Sequence, residues 1–463
     1  MTLGMTLQTC LAQEFDDYEI VVSDNSTTNA TFELIHQLAS PKIKYVRPPA
    51  PLAMTDNWNF AINQASGEFI TVLGSDDGLL LHALPELDRL IRVLGVRMLR
   101  WDQVCYNWPD LPACGNIAPN DLLVPIKQMD HYIPIRRRES REMILAAASS
   151  RISYAELPMI YCTVIHHQLI EELQERTGTI LKSECPDVYS GFAFAQLGDH
   201  YHSIDAPFSI NASSAASNGY ATIFLKEKSP IFEDFESLNL RANHVMHEWI
   251  PKLPVFSALV TNSFLRAKAA LFPDDETLSF DRRHMIDCSL RELRASNEPE
   301  WGAALRAVRK CVQDDTDIKK WFEQKYGGTC HGDFQFEAPV RMRRYNQSHL
   351  LLDASEFGVS DVMGAAYLCE NLLGFKRDGV NAHLYAGDSR KETGEMDLVS
   401  KNSGREEKIL NQQYELEKKE AVIQSLVKAF GENQHKLQEL KSKVEKMRTK
   451  EQELRQKIEK LKT

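Results

Sequence analysis

Residues 69–80 read FITVLGSDDGLL, and this stretch decides the fold predicted for the chain. An apolar run, residues 69–73, leads through Gly74 and Ser75 to the adjacent carboxylates Asp76 and Asp77. Side chains at the carboxyl end of a parallel strand project into the crevice where open α/β sheets bind ligands. Two acids at that place suit a hard cation, Mg2+ or Mn2+, which neutralises a diphosphate. A solvated Asp-Asp-Gly turn that ends the strand is the alternative.

The residues before this stretch alternate apolar runs with amphipathic segments. The runs are YEIVVS (18–23), IKYV (43–46) and FITVL (69–73), each short and continuous. This alternation predicts parallel strands that are joined by crossover helices and covered on both faces. We therefore expect an α/β fold with a Rossmann-like, mostly parallel sheet. Asp24 follows the first apolar run, in a position equivalent to that of Asp76 after the third run. Asn25 and Ser26, beside Asp24, can hydrogen-bond a base or ribose.

Charge and cysteine content exclude several classes of protein. The 463 residues carry a net charge of -11, but residues 401–463 hold 16 Lys and Arg against 11 Asp and Glu, so the rest of the chain is strongly acidic. An acidic surface argues against binding of nucleic acid. Nine Cys without a CxxC pair indicate a reducing compartment. Neither a transmembrane segment nor a signal peptide is visible, so we expect a cytoplasmic protein, with peripheral attachment at the inner face of the membrane as an option.

The periodicity changes near the carboxyl terminus. From Ile409, seven of eight a positions and five of eight d positions of a heptad are apolar. A sustained heptad flanked by Glu and Lys predicts a coiled coil, and one helix alone cannot bury its apolar seam. We expect a homo-oligomer through residues 405–463. A single charged helix lying on the body is the alternative.

Taken together, these motifs resemble the family 2 glycosyltransferases of the GT-A fold. That family's nucleotide half reads roughly VVDDGS, RNxGxxxAxGEY and LDADD, and here VVSDNS, WNFAINQASGEF and LGSDDG stand in those places. The resemblance covers about residues 5–220. It implies that Asp24 contacts a uracil-type base, with Asn25, Ser26 and Asn59 on the same donor. The implied donor is a nucleotide-diphosphate sugar, a UDP-sugar first of all.

The resemblance also implies the catalytic roles. Asp76 stands in the place of the metal-coordinating acid, with Asp77 beside it, and the implied ion is Mn2+ or Mg2+. Asp187, in PDVYSG (186–191), resembles the general base that deprotonates the acceptor hydroxyl. Inverting transfer needs only such a base and a means of screening the leaving diphosphate. A helix N-cap is the other role open to Asp187, and the two roles are compatible.

Three departures from the family pattern bear on activity. Gly74 stands where LDADD has its first acid, and Trp58 replaces the Arg of the RN pair. The family's first strand has no counterpart, because the chain opens inside the expected first helix, at GMTLQTCLAQEF. A sheet without an interior strand leaves backbone groups unpaired. We therefore expect an N-terminally truncated domain whose activity the missing strand impairs.

The remaining segments complete the predicted organisation. Residues 1–220 form the glycosyltransferase domain, 221–385 a mainly helical extension, 386–404 a linker and 405–463 the coiled coil. Within the first domain, residues 100–160 predict loops and short elements on the acceptor side, where Trp101, Tyr106 and Trp108 either fill a core or stack on a sugar.

The leading functional hypothesis is a metal-dependent, inverting glycosyltransferase that acts in polysaccharide or glycan assembly, with a glycan or lipid-linked acceptor. An inactive glycosyltransferase-like scaffold that assembles partners through its coiled coil is the alternative. A nucleotidyltransferase on a similar sheet is a third, weaker hypothesis.

Overall fold

The computed structural model describes most of the first 384 residues. The described ranges are 2–114, 117–125, 133–225, 229–253, 255–293, 298–329, 349–375 and 382–384. The predicted linker and coiled coil, residues 386–463, lie outside these ranges, so both stay predictions.

Helices and strands alternate through the first 95 residues. In order they are α1 (Thr2–Leu11), β1 (Ile20–Ser23), α2 (Ala30–Leu38), β2 (Ile43–Val46), α3 (Met54–Ile62), β3 (Phe69–Ile70), β4 (Gly78–Leu79) and α4 (Ala83–Leu94). The helix ends follow local chemistry. Gly95, with φ +61°, takes the left-handed conformation that closes α4, and its N–H donates to the carbonyl of Ile91. The α/β class predicted from this segment is confirmed.

Seven further strands follow, namely β5 (Met98–Asn107), β6 (Asp121–Pro125), β7 (Ile133–Glu139), β8 (Thr163–His166), β9 (His200–Ser213), β10 (His349–Asp353) and β11 (Ala382–Leu384). The expectation of loops and short elements over residues 100–160 is wrong, because β5 and β7 are long strands. Polar residues interrupt the apolar pattern of β5, so the sequence does not reveal this strand. Arg100 is buried in it and donates to Asp102 at 2.6 Å, so the strand carries an ion pair where an apolar run would be expected.

The strands form two sheets. β1 and β2 pair in parallel as a sheet of two, and the others form a sheet of nine with the path β10-β6-β5-β9-β7-β11. β8 joins β5 to β3, and β4 pairs with β9. Parallel pairing links β1 to β2, β5 to β9 and β7 to β11, whereas the other described pairs are antiparallel. The large sheet is therefore mixed.

The later helices are α5 (Ser140–Ala148), α6 (His167–Thr177), α7 (Pro186–Gln196), α8 (Asn218–Tyr220), α9 (Pro230–Arg241), α10 (Phe256–Leu271), α11 (Arg282–Glu292), α12 (Glu298–Cys311), α13 (Thr316–Tyr326) and α14 (Val362–Leu373). Asp281 and Asp315 cap α11 and α13 by accepting backbone N–H groups. Helices α9 to α13 lie within the segment predicted as a mainly helical extension, residues 221–385.

Helix α7 lies at the centre of the largest core. Tyr189, Phe192 and Phe194 point in different directions around it, and none of the three is exposed. A helix that is apolar on all sides is one that is covered on all sides, and α5, α6 and α10 pack around α7. The first turn of α7, which carries Asp187, is therefore held rigidly.

Two late elements pack on the earlier part of the chain. β10 pairs with β6, and Glu370 of α14 accepts a hydrogen bond from the buried ring of His82, with the Nδ1 to Oε1 distance at 2.7 Å. Both elements fall in the segment that the sequence assigns to a helical extension, and the domain boundaries stay a prediction. None of the helices described is long and apolar enough to cross a bilayer.

Candidate active site

One large cavity, of about 1890 Å3, brings together residues that are far apart in the sequence. Asp24 lines it after β1, Asp76 lines it between β3 and β4, and Asp187 lines it at the start of α7. The structure thus places the three predicted acids around a single space, although they span more than 160 positions of the chain. Their individual roles stay predictions.

Asp24 is a buried, ionised acid with several donors. Its Oδ2 atom accepts hydrogen bonds from the Tyr45 hydroxyl at 2.8 Å and from Arg47 Nε at 3.0 Å, while Oδ1 accepts the Ser26 N–H at 3.0 Å. Burial alone would raise the pKa of Asp24, but the hydrogen bonds from Ser26, Tyr45 and Arg47 outweigh it and the pKa lies below its ordinary value. An ionised carboxylate, paired with the guanidinium of Arg47, therefore stands at this end of the cavity.

The polar residues predicted beside Asp24 have different surroundings. Asn25 lines the cavity, but its amide bonds both the N–H and the carbonyl of Leu52, each at 2.9 Å. Asn59 bonds the backbone of Leu181 in the same way and is not among the cavity-lining residues. Ser26 is exposed and lines the cavity. In this structure the two amides therefore hold loops in place, and Ser26 is the more accessible group.

Asp77 is enclosed, in contrast to its neighbour. Only 1% of its surface is exposed. Its Oδ1 atom accepts the Ala212 N–H at 2.7 Å, and Oδ2 accepts both the Gly74 N–H at 2.6 Å and the Tyr161 hydroxyl. Burial, followed by the negative charge of Asp76, raises the pKa of Asp77 to about 7 against the opposing effect of these bonds. The Asp77 carboxylate therefore stabilises the loop through buried hydrogen bonds, whereas Asp76 faces the cavity.

Gly74 makes this bracing possible. A Cβ atom at position 74 would lie 2.5 Å from Oδ2 of Asp77 and 3.3 Å from Oδ1 of Asp76. Any side chain there would push the Asp77 carboxylate away from the backbone N–H that it accepts. The departure from the family pattern at Gly74 therefore has a steric reason.

Asp76 is held by the loop after β9. Ser214 donates to Oδ2 of Asp76 at 2.8 Å, and Ser217 donates to the same atom. The indole N–H of Trp108 donates to the Asp76 carbonyl at 2.9 Å. Oδ1 accepts none of the hydrogen bonds found within the described ranges, so it is the oxygen open to a ligand. The sequence analysis did not identify these two serines.

Trp108 belongs to a group of aromatic residues whose place the sequence left open between core and sugar. Trp101 and Tyr106 are fully buried and Trp108 is 7% exposed. All three are therefore core residues, and Trp108 supports the Asp76 loop from beneath.

Asp187 occupies the first turn of α7, directly after Pro186. Cys185 is the N-cap, and its side chain makes no capping bond. Asp187 is the second residue of the helix, so the N-cap role considered for it is wrong, although backbone N–H groups of the first turn do support its carboxylate. Burial outweighs those bonds and raises the pKa of Asp187. A carboxylate with a raised pKa is a better proton acceptor at neutral pH.

Tyr161 connects the acids, and sequence reasoning missed it. After burial, the charges of Asp77, Asp76 and Asp187 are the causes that raise the pKa of Tyr161 well above its ordinary value, which places the phenol among all three. Its ring stacks on Trp58, with centroids 6.1 Å apart and 9° between the planes. Tyr161 and Trp58 both line the cavity. The only signal in the sequence was that Trp58 replaces a family Arg.

The fit of a divalent cation depends on Asp76. Within the described ranges, no group of three or more His, Cys, Asp or Glu side chains is arranged to hold a metal ion. His200 and His202 contact each other at 5.3 Å between centroids, next to Arg137, and lie away from the cavity lining. The open oxygen of Asp76 and the two serine hydroxyls are hard ligands of the kind that Mg2+ and Mn2+ accept. They fit a cation that takes its other ligands from phosphate and water.

Comparisons with known proteins identify the first part of the chain. The family model of glycosyl transferase family 2 matches residues 2–95. The resemblance predicted from the sequence is confirmed over these residues.

A curated relative is GalNAc(5)-diNAcBac-PP-undecaprenol beta-1,3-glucosyltransferase of Campylobacter jejuni, 38% identical over 78 residues, which are 16% of this chain and 25% of that protein. The chain thus spans about a quarter of the length of that relative.

Two solved structures are also similar. S. aureus TarS 1–349 in complex with UDP-GlcNAc is 14% identical, with 70% of this chain and 88% of that one covered and a TM-score of 0.36. The mannosyltransferase PcManGT of Pyrobaculum calidifontis, in complex with GDP-Man and Mn2+, is 13% identical, with 71% and 84% covered and a TM-score of 0.31.

Proposed function

We propose that this protein is a glycosyltransferase that moves a sugar from a nucleotide-diphosphate sugar to an acceptor hydroxyl, with inversion at the transferred carbon and with the aid of a divalent cation. One observation carries the proposal: Asp24, Asp76 and Asp187 line the same cavity. The surroundings of the three acids differ, which suits them to three separate tasks: donor recognition, screening of the diphosphate and acceptance of a proton.

The Asp24 end of the cavity is proposed to hold the nucleotide. Asp24 is fixed in its charged form by Tyr45 and Arg47, and Ser26 next to it is accessible. The accessible Ser26 hydroxyl beside this buried ion pair suits the polar groups of a base or ribose, and a UDP-sugar is the proposed donor. Asn25 and Asn59 are proposed to act here through the loops that they anchor, because their amides are engaged by Leu52 and Leu181.

Asp76 would hold the cation through its free oxygen, with Ser214 and Ser217 orienting the carboxylate. When bound, Mn2+ or Mg2+ would screen the negative charge of the leaving nucleotide diphosphate. Asp77 contributes by position, since it keeps Gly74 and the strand of Ala212 at fixed distances from Asp76. These two different roles account for the burial of Asp77 and the exposure of Asp76 to the cavity.

Asp187 is proposed to be the general base. It takes the proton of the acceptor hydroxyl while that oxygen forms a bond to the anomeric carbon of the donor sugar and the bond from that carbon to the diphosphate oxygen breaks. The electron pair of the broken bond leaves on the nucleotide diphosphate, so no protein nucleophile is required. The rigid α7 fixes the base, and the stacked pair of Trp58 and Tyr161 offers a flat apolar surface to a sugar ring.

The acceptor and the cellular location are proposed from the curated relative and from the sequence, and not from the residues that line the cavity. The acceptor of the curated relative is named as an undecaprenol-linked diphosphate glycan, and a glycan or lipid-linked acceptor is proposed here as well. We propose a cytoplasmic protein, peripheral at the inner face of the membrane, that assembles into a homo-oligomer through residues 405–463.

A donor screen tests the proposal. Released UDP is measured with a panel of UDP-sugars, with and without Mn2+, for the wild type and for Asp76→Ala. Calorimetry with UDP and Mn2+ measures binding independently of turnover. We expect metal-dependent UDP binding and donor hydrolysis in the wild type, and loss of the metal-dependent part of both in the variant.

The matched control is Asp274→Ala, because Asp274 is an exposed loop acid away from the cavity. Full activity of Asp76→Ala would exclude the metal role. A wild type that shows no metal-dependent nucleotide binding would instead favour the scaffold hypothesis, in which the heptads of residues 405–463 carry the function.

A further inference from the structure

Two later helices, α9 and α10, line a part of the cavity that the proposed mechanism does not use. From α9, the lining residues are Ile231, Asp234, Phe235 and Leu238. Their spacing of i, i+3, i+4 and i+7 places them on one face of the helix. A single face of α9, about 10 Å long at the rise of an α-helix, therefore forms a wall of the cavity.

Helix α10 forms a second wall in the same way. Phe256, Leu259 and Val260 line the cavity from α10, at the spacing i, i+3 and i+4. All three are apolar and only partly buried, and the apolar lining residues of α9 are likewise only partly buried. Two apolar helix faces thus keep surface open to the cavity. We refer to the space lined by these residues of α9 and α10 as the α9–α10 groove.

The α9–α10 groove lies next to the first turn of α7, which carries Asp187. Helix α7 packs against α10, and the side-chain amide of Asn262 in α10 donates to Glu184, just before α7, at 3.2 Å. Val260 of the groove is two positions from Asn262, and Val188, directly after Asp187, lines the same cavity. A molecule whose hydroxyl lies at Asp187 therefore has the groove beside it.

The lining of the groove favours a hydrocarbon over a saccharide. The hydroxyl groups of a saccharide need polar partners once they are removed from water. Among the described residues of α9 and α10 that line the groove, Asp234 alone is charged, and it is exposed. A hydrocarbon chain needs no such partners, and it gains free energy with each methylene group that it buries.

We propose that the α9–α10 groove binds a hydrocarbon chain of the acceptor, so that the acceptor is an amphiphile whose reacting hydroxyl lies at Asp187. This assignment rests on the proposed function, in which Asp187 is the general base. It narrows the acceptor from a glycan or a lipid-linked molecule to one that carries a hydrocarbon chain close to the reacting hydroxyl. The affinity for such a molecule should therefore increase with the length of its chain.

Two neutral glycosides test the groove, because a neutral probe avoids repulsion by Asp187 and Asp234. The probe is octyl β-D-glucopyranoside, used below the concentration at which it forms micelles. The control is methyl β-D-glucopyranoside, which has the same sugar without the chain. Calorimetry measures the binding of each to the full chain, first without donor and metal. We expect saturable binding of the octyl glycoside and an affinity for the methyl glycoside that is weaker by about tenfold or more.

Three variants locate the binding. Leu238→Gln and Leu259→Gln each place a polar group in one wall of the groove. Leu240→Gln is the matched control, because Leu240 is on α9 as well but is 72% exposed and is not among the cavity-lining residues. Circular dichroism and thermal unfolding verify that the variants fold. We expect either groove variant to weaken binding of the octyl glycoside by about tenfold and Leu240→Gln to leave it unchanged.

A second titration separates the groove from the donor site. The octyl glycoside is added to protein saturated with UDP and Mn2+, and we expect its affinity to be at least as high as without them. Competition between the octyl glycoside and UDP would overturn the proposal, because the chain would then occupy the donor site. Equal affinity for the two glycosides, or wild-type affinity in both folded groove variants, would overturn it as well.

Failure of the proposed function gives a different result. If the octyl glycoside binds through Leu238 and Leu259 but UDP does not bind with Mn2+, the groove has no link to an acceptor and the proposed function fails. If UDP binds with Mn2+ and the octyl glycoside does not bind, the proposed function stands and only the assignment of the groove is overturned.

Discussion

The ring of Tyr161 lies parallel to the indole of Trp58, with centroids 6.1 Å apart, while its hydroxyl donates to the buried carboxylate of Asp77. One side chain thus connects the aromatic surface of the cavity to the acid that braces the Asp76 loop. The connection depends on a hydroxyl that stays protonated, and burial together with the surrounding acids raises the pKa of Tyr161 to keep it so.

Replacement of Tyr161 by Phe should separate these two functions. The ring still stacks on Trp58, but Asp77 loses a donor, and an unmade bond to a buried charged group costs about 1 to 3 kcal/mol. We expect the free energy of unfolding to fall by that amount at pH 8, measured by urea denaturation. Tyr367→Phe is the control, since Tyr367 is 53% exposed. If the two variants lose the same free energy of unfolding, the hydrogen bond from Tyr161 to Asp77 does not stabilise the fold.

The activity of the proposed enzyme should depend on pH through Asp187. Burial raises the pKa of this carboxyl, and a general base works only when deprotonated. We expect kcat/KM to fall as the pH drops through the raised pKa of Asp187, and Asp187→Asn to lose about 100-fold or more in turnover. Calorimetry should show that the variant still binds UDP. A variant with wild-type turnover would remove Asp187 from the mechanism.

A methyl group at position 74 should be costly. The Cβ atom of Gly74→Ala would lie 2.5 Å from Oδ2 of Asp77, so the carboxylate must move and the bond to the N–H of residue 74 is lost. We expect a loss of about 1 to 3 kcal/mol in the free energy of unfolding. Gly328→Ala is the matched control, because a Cβ atom there meets nothing within 4 Å. If both variants are equally stable, the close approach at Gly74 is not a constraint.

Stability should vary with pH through Asp77, whose pKa is raised to about 7 by burial and by the charge of Asp76. The pKa of this carboxyl in the folded state lies above its value of about 3.9 in the unfolded state. At a pH below both values the group is protonated in both states and does not change the free energy of unfolding. As the pH rises between the two values, the group lowers the free energy of unfolding increasingly. Asp76→Asn removes one cause of the raised pKa, so the penalty shrinks.

We therefore expect the stability of Asp76→Asn relative to wild type to increase between about pH 5 and pH 8, on the order of 1.4 kcal/mol for each unit by which the pKa of Asp77 falls. Thermal and urea unfolding across this range measure the difference, and Asp274→Asn controls for loss of an exposed charge. A difference that is constant with pH would show that the two acids do not interact.

Local pattern in the sequence was enough to predict much of the fold. The strands predicted from the apolar runs at 18–23 and 43–46 and the helix between them are confirmed, because each element's own residues carry its period. The strands β5 and β7 escaped prediction for the opposite reason. Arg100 is buried only because Asp102 and the carbonyl of Ala155 satisfy it, and no local pattern reveals such partners.

The same distinction applies to the candidate site. The sequence by itself determined the α/β class, the family resemblance of residues 2–95, and which acids follow strands, since these depend on neighbours in the chain. Only the tertiary structure decided that Asp77 is enclosed while Asp76 is open, that Tyr161, Ser214 and Ser217 surround them, and that Asn25 and Asn59 bind backbone. Those outcomes depend on hydrogen bonds between residues up to 141 positions apart, and the protonation and accessibility of a side chain are properties of its surroundings in space.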